Sequence, residues 1–233
     1  MIHIGGLQKT SLIDFPGRVS CVVFASGCNY RCPYCHNPQL VKMPGADPSE
    51  DALPNFYDFL KRRRGFLDGV VITGGEPTLQ PGLPELCKTI TKLGFAIKLD
   101  TNGSRPDVLE TLLDDHLVDY VAMDIKSDPM DYAPLFSENR NPAPVLESIR
   151  ILGQAKVAIE YRTTCLNPIT TPAVIDTIGR LIKGAPLYAL QICRTKDVLK
   201  PGYFRKHPEQ FDRNQIGELK AVAQKWVRRV VVR

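Results

Sequence analysis

Six apolar runs of strand length recur along the chain: Val19–Ala25, Gly69–Thr73, Phe95–Asp100, Asp119–Ile125, Val157–Thr163 and Leu187–Cys193. Most are near-continuous and rich in Val and Ile, which suits strands covered on both faces. Between them, apolar residues recur at helical spacing and the helix ends are legible. Pro84 opens a helix with the stripe Leu86, Ile90 and Leu93, stopped by Gly94. Pro106 opens another carrying Leu109, Leu112 and Leu113. Pro144 opens a third with Leu146, Ile149 and Leu152, ended by Gly153. Thr171 reads as a cap and Pro172 as a first-turn proline, with Ile175, Ile178 and Ile182 behind them. A last helix carries Ile216, Leu219, Ala223 and Trp226. Asp47-Pro48-Ser49-Glu50 reads as a capping box, but Pro54 places the start of the main helix near Leu53.

Six repeats of strand and helix imply parallel strands joined by right-handed crossovers. Six strands are fewer than the eight of a closed barrel. The expected fold class is therefore α/β, a partial (β/α)6 TIM-like barrel of parallel strands, open on one side. It is expected to form a single domain over residues 1–233. Val230–Val232 is expected to add an edge strand, and residues 1–14 a small hairpin in front.

Composition narrows the class. Apolar residues are 43% and charged residues 24%, which excludes a disordered or fibrous chain. The apolar runs are too short to span a bilayer, and Met1–Gly17 lacks the charged-then-apolar pattern of a secretion signal, so no membrane partner and a cytoplasmic location are expected. The net charge of +5 is mild. Arg62-Arg63-Arg64 and Arg228-Arg229 read as solvated element ends, and no nucleic-acid partner is expected.

In parallel α/β folds, ligands bind beyond the carboxyl ends of the strands. Here all six apolar runs lead there into polar or small residues: Ser26-Gly27-Cys28, Gly74-Gly75-Glu76-Pro77, Asp100-Thr101-Asn102-Gly103, Asp124-Ile125-Lys126, Arg162-Thr163-Thr164 and Gln191-Ile192-Cys193-Arg194. That recurrence at one end is the family-independent argument for a single active site.

The chain has seven cysteines, and Cys28, Cys32 and Cys35 lie within eight residues, spaced CxxxCxxC. An odd count argues against a disulfide framework. Thiolates suit zinc or iron–sulfur clusters. Most clusters have four cysteine ligands, so three ligands on a four-iron cube would leave one iron open to a substrate. The other reading is a zinc site completed by His36 or a distant cysteine. His36 directly follows Cys35, an awkward spacing for closing a tetrahedron.

CNYRCPYC, with Tyr34 just before the third cysteine, resembles the cluster motif of the radical S-adenosylmethionine (SAM) superfamily, and GGEP after the second strand resembles its second signature. The stretch DFPGRVSCVVFASGCNYRCPYCHNPQL is similar to the activating enzymes of glycyl radical proteins. Among these it most resembles the anaerobic ribonucleoside-triphosphate reductase activating proteins. The resemblance implies one [4Fe–4S] cluster held by Cys28, Cys32 and Cys35, with SAM on the fourth iron. It implies reductive cleavage of SAM to methionine and a 5′-deoxyadenosyl radical, which takes hydrogen from a glycine of a partner enzyme. The implied partner is anaerobic ribonucleotide reductase, and the implied reductant is a flavodoxin or ferredoxin. Residues implied at the SAM site are Gly74, Gly75 and Glu76, Asp100, Asp124, Lys126, Tyr34 and Asn37. No catalytic side chain is implied beyond the cluster and SAM. Some related activases carry a histidine after the last barrel strand, whereas this chain reads LQICRTKD. With no further cysteine between Cys35 and Gly74, a second cluster is not expected. Cys21, Cys87, Cys165 and Cys193 read as small buried residues. Three other readings stay open on the residues alone: an activase of a pyruvate formate-lyase-like enzyme, a radical SAM enzyme acting on a small molecule, and a non-catalytic metal-binding module.

Overall fold

The computed structural model describes residues 2–41, 52–132, 135–137 and 141–233. Eight strands follow one another in chain order in one sheet: β1 (Ile4–Ser11), β2 (Ser20–Ala25), β3 (Gly69–Gly74), β4 (Ala96–Thr101), β5 (Tyr120–Asp124), β6 (Ala158–Cys165), β7 (Tyr188–Ile192) and β8 (Val230–Val232). β1 pairs antiparallel with β2, whereas β2–β3–β4 and β6–β7–β8 pair in parallel. β1 and β8 are the terminal strands of that order, so the sheet does not close. This connectivity is that of an incomplete (β/α) barrel with an added strand at each end. The six expected strands are present within one or two residues, and Val230–Val232 is the expected edge strand. Residues 1–14 differ from expectation. Among the described residues they hold one strand rather than a hairpin, because β1 finds its partner in β2, with Ser11 opposite Ser20 and Ile4 opposite Ala25.

The helices are α1 (Ala52–Arg62), α2 (Leu83–Lys92), α3 (Pro106–Asp114), α4 (Ala143–Gln154), α5 (Pro172–Leu181), α6 (Pro201–Lys206) and α7 (Arg213–Ala223). Thr171 caps α5 by accepting from the Val174 N–H at 3.2 Å. Gly94 takes φ +88° just past α2, the left-handed turn that ends a helix. Two boundaries differ from expectation. Gly153 lies inside α4 rather than ending it, and Trp226 lies beyond α7. The short α6 has no apolar stripe and was not foreseen. The proposed capping box Asp47–Glu50 lies outside the described residues.

The chain packs as two compact units. The first comprises Met1–Asn29, Gln39–Thr101 and Asp107–Val121. Its core includes Phe15, Val22 and Val71, with Phe24, Ala96 and Tyr120 packed against them. The second comprises Tyr30–Pro38, Asn102–Pro106 and Ala122–Arg233. Met123, Leu152, Ile175, Ile178 and Tyr188 are fully buried in it. Trp226 lies against Gly179 of α5 and donates its indole N–H to Asp176 at 2.9 Å. Among the described residues, no helix is long and apolar enough to cross a membrane.

Candidate active site

In the first unit, β2 and β3 end in register, with Ala25 opposite Gly74. The chain beyond each strand is pinned to the other by backbone hydrogen bonds. Gly75 N–H donates to Ala25 O at 2.8 Å, and Glu76 N–H donates to Gly27 O at 2.7 Å. The cysteine segment leaves this unit and returns to it at one place. Gly27 N–H donates to Leu40 O at 2.6 Å and Cys28 N–H to Val41 O at 3.0 Å. Gln80 fastens the exit from β2 by donating to Ser26 O at 2.5 Å.

The approach is so close that only glycine fits. A Cβ on Gly75 would stand 2.1 Å from Gly27 O and 2.6 Å from Gly27 C, and Gly74 has φ +117°. Both obstacles at Gly75 are backbone and cannot rotate away. Gly75→Ala is expected to cost about 1–3 kcal/mol of stability, read as a lower denaturation midpoint. Gly153→Ala in α4, where a Cβ meets nothing within 4 Å, is expected to be neutral or slightly stabilising.

Glu76 is 1% exposed. Its Oε1 accepts from Thr78 N–H at 3.1 Å, Thr78 Oγ1–H at 2.6 Å and Thr101 Oγ1–H at 2.8 Å. These bonds lock the GGEP turn and tie it to the end of β4. Asp100, also in β4, is ion-paired with the buried Lys98 two residues earlier on the same strand face.

In the second unit, the Tyr30–Pro38 segment is anchored by backbone bonds and an aromatic cluster. Arg31 N–H donates to Phe136 O at 2.7 Å, and Cys35 N–H turns back to Cys32 O at 3.1 Å. The Tyr34 and Tyr132 rings both pack on Phe136, at 6.1 and 6.0 Å between centroids. Tyr132 accepts the Lys126 backbone N–H at 2.7 Å. Lys126 Nζ pairs with Asp124 Oδ2 at 2.8 Å, and Arg162 Nε with Asp124 Oδ1 at 2.6 Å. The Lys126 ammonium lies 6.0 Å from the Tyr34 ring centroid. Burial pushes the Asp124 carboxyl up, but Arg162 and Lys126 more than offset it and hold it well below the usual carboxylate range. Burial opposes the Lys126 charge, and Asp124 outweighs burial and holds that ammonium protonated. Burial pushes the Cys32 thiol up, while the charge of Lys126 pulls it back.

Asp124, Lys126 and Tyr34 are thus brought together with Cys32 in the second unit. Gly74, Gly75 and Glu76 are brought together in the first, which also holds Asp100 with Lys98. Asn37 is half-buried, and His36 is exposed. Three contributors were not singled out from sequence: Thr101, Lys98 and Glu160. Glu160 is 1% exposed on β6 and receives both Arg233 guanidinium nitrogens at 3.3 and 3.0 Å. A signal for Lys98 and Glu160 was present, because Lys98/Asp100 and Glu160/Arg162 are charged i,i+2 pairs in apolar strands. The period of two puts both members of each on one face.

All seven cysteines are outside any disulfide. Among the described residues, no three His, Cys, Asp or Glu side chains converge as a metal would require. The donor chemistry nevertheless fits a cluster. Three soft thiols lie on one short loop, Cys28 and Cys35 are partly accessible, and the buried Tyr34 side chain lies beside Cys32 and the Lys126 ammonium.

The sequence description of the radical SAM superfamily matches residues 22–181. The chain belongs to the radical SAM superfamily. A relative in Methanocaldococcus jannaschii, named as a glycyl-radical enzyme activating enzyme, is 34% identical over 99% of this chain and 95% of its own. The pyruvate formate-lyase-activating enzyme of Clostridium pasteurianum is 35% identical over 54% of this chain and 53% of its own. Among solved structures, SuiB of Streptococcus suis bound to S-adenosylmethionine shares the fold, with a TM-score of 0.66 at 11% identity over 89% of this chain and 48% of that one. As a member of the radical SAM superfamily, this enzyme uses a [4Fe–4S] cluster and SAM.

Proposed function

We propose that this radical SAM enzyme activates a glycyl radical enzyme, and that its partner is anaerobic ribonucleoside-triphosphate reductase. The observation that carries the activase reading is the end-to-end relationship to an enzyme named for that activity. The cluster and SAM, once bound, supply the one-electron cleavage of the sulfonium that yields methionine and a 5′-deoxyadenosyl radical. The residues here bind and orient. Cys28, Cys32 and Cys35 would hold the cluster and leave one iron for SAM. The backbone at Gly74 and Gly75 admits the SAM amino group at close range, and Glu76 keeps that turn in shape. Asp100, ion-paired with Lys98, is assigned to the ribose or a nearby cation, and Lys126 offsets the SAM carboxylate. Tyr34 covers the adenine, and Asn37 lies at the end of the loop that meets SAM or the partner. We assign the function to a single radical SAM domain over residues 1–233, at work in the cytoplasm with a flavodoxin or ferredoxin as electron source.

The test mixes anaerobically reconstituted protein, SAM, reductant and the purified reductase. The expected result is a glycyl radical doublet in the electron paramagnetic resonance spectrum. SAM cleavage without that doublet contradicts the partner assignment. The same assay with pyruvate formate-lyase serves the second reading, which the match to the Clostridium pasteurianum enzyme favours. A doublet there alone would transfer the assignment to that partner.

A further inference from the structure

In the second unit, the segment that follows β7 lies on the cysteine loop. Leu199 N–H donates to Cys35 O at 3.0 Å, and Lys200 N–H donates to Pro33 O at 3.1 Å. Lys200 Nζ reaches on to Leu135 O at 3.4 Å. The segment Arg194–His207 is strongly basic. It carries Arg194, Lys196, Lys200, Arg205 and Lys206 against the single acid Asp197, a net +4 within a chain whose total is +5. Nearly all of the chain's excess charge therefore sits in a fourteen-residue segment whose Leu199 and Lys200 bond to the loop of Cys32 and Cys35. Arg194, Lys196, Arg205 and Lys206 are exposed, and no described carboxylate pairs with them. The exposed Arg31, within the cysteine loop, adds to the same sign.

We infer that this collar, Lys196–Lys206 together with Arg194 and Arg31, is the docking surface for an acidic one-electron carrier protein. The inference rests on the radical SAM reading of the cysteine loop and adds to it the route by which the electron arrives. The carrier gives up one electron and the cluster accepts it. The transfer requires close approach to the cysteine loop, and the collar is the charged surface held against that loop. An isolated field of one sign steers an oppositely charged partner and speeds encounter. A single-stranded nucleic acid fits less well, because such sites present exposed aromatic rings for stacking. The two aromatics of the segment are occupied. Phe204 is buried, and Tyr203 packs on Phe204 and His207 and donates its hydroxyl to Asn167 O at 3.1 Å.

The test compares the reconstituted wild-type protein with a Lys196→Glu/Arg205→Glu/Lys206→Glu variant. Both are given either a purified, reduced acidic flavodoxin or dithionite. With flavodoxin at low ionic strength, the variant is expected to cleave SAM about 10-fold or more slowly, and the wild-type rate is expected to fall towards the variant's as salt is added. With dithionite the two proteins are expected to match. Titration of oxidised flavodoxin into each protein, read by calorimetry, is expected to show binding to the wild type only. Equal rates and equal binding with flavodoxin overturn the proposal. Equal slowing with both reductants also overturns it, since the damage would then lie in the fold or the site. Selective loss of RNA binding, with the flavodoxin rate kept, assigns the collar to nucleic acid instead. If dithionite drives no SAM cleavage in the wild type, the radical SAM site assignment fails, and the calorimetry decides the docking surface separately.

Discussion

A Cys32→Ala protein is expected to leave anaerobic reconstitution without the broad visible absorbance of a cluster, and to cleave SAM at least about 10³-fold more slowly, the scale lost when reacting groups are no longer held in contact. The reason is specific to the position. Cys32 lies in the short loop that the Arg31–Phe136, Leu199–Cys35 and Lys200–Pro33 backbone bonds hold in shape. The four single cysteines have no such setting. They are scattered over β2, α2, β6 and the segment after β7, and burial pushes the thiols of Cys21, Cys87 and Cys165 up to about 12 and that of Cys193 up to about 11. Alanine at Cys87 or Cys193 is expected to leave the iron content and the absorbance unchanged. Loss of iron from the Cys193→Ala protein would name it as a further ligand.

The second large effect is on stability. Asp124→Asn leaves the Arg162 guanidinium and the Lys126 ammonium, each 12% exposed, facing a neutral amide. Breaking a buried ion pair from one side costs about 3–5 kcal/mol. Asp124 is 24% exposed, so the lower end applies, about 3 kcal/mol or roughly 6–12 °C in Tm. The sign of the pH dependence follows from the depressed carboxyl. The contribution is complete above the unfolded value of about 3.9 and is lost as pH falls below it. The gap between wild type and variant, measured by chemical denaturation, is therefore expected to be constant from neutral pH down to about 5 and to close in stronger acid. A gap that does not change with pH would show that Asp124 is not charged in the fold. Lys61→Ala, which removes the exposed partner of Asp58, is expected to change nothing measurable.

The strands and the chemistry were legible for one shared reason. Buried parallel strands need continuous apolar runs, so polar residues concentrate at their ends, and the cysteine trio, GGEP, Asp100 and the Asp124/Lys126 pair stood out against that background. Residues 1–14 were misread because a strand's partner cannot be told from its own sequence. β1 pairs across a turn with β2, not within itself. α6 was missed because six residues hold too little apolar periodicity to register. The supports of the site were hidden for another reason. Thr101 and Glu160 do their work through partners far along the chain, and only folding brings Glu160 to Arg233 and Thr101 to Glu76. Arg162 was noticed at the end of its strand, but its role in clamping Asp124 from 38 residues away required the sheet.

The central claim is a four-iron cluster with three thiolate ligands and one iron left for SAM. Mössbauer spectroscopy of ⁵⁷Fe-reconstituted protein, with and without SAM, tests it most directly. The account predicts four irons per chain, one of which changes its isomer shift when SAM is added while the other three do not. Four irons that ignore SAM, or a protein that takes up a single metal ion and no cluster, would contradict it.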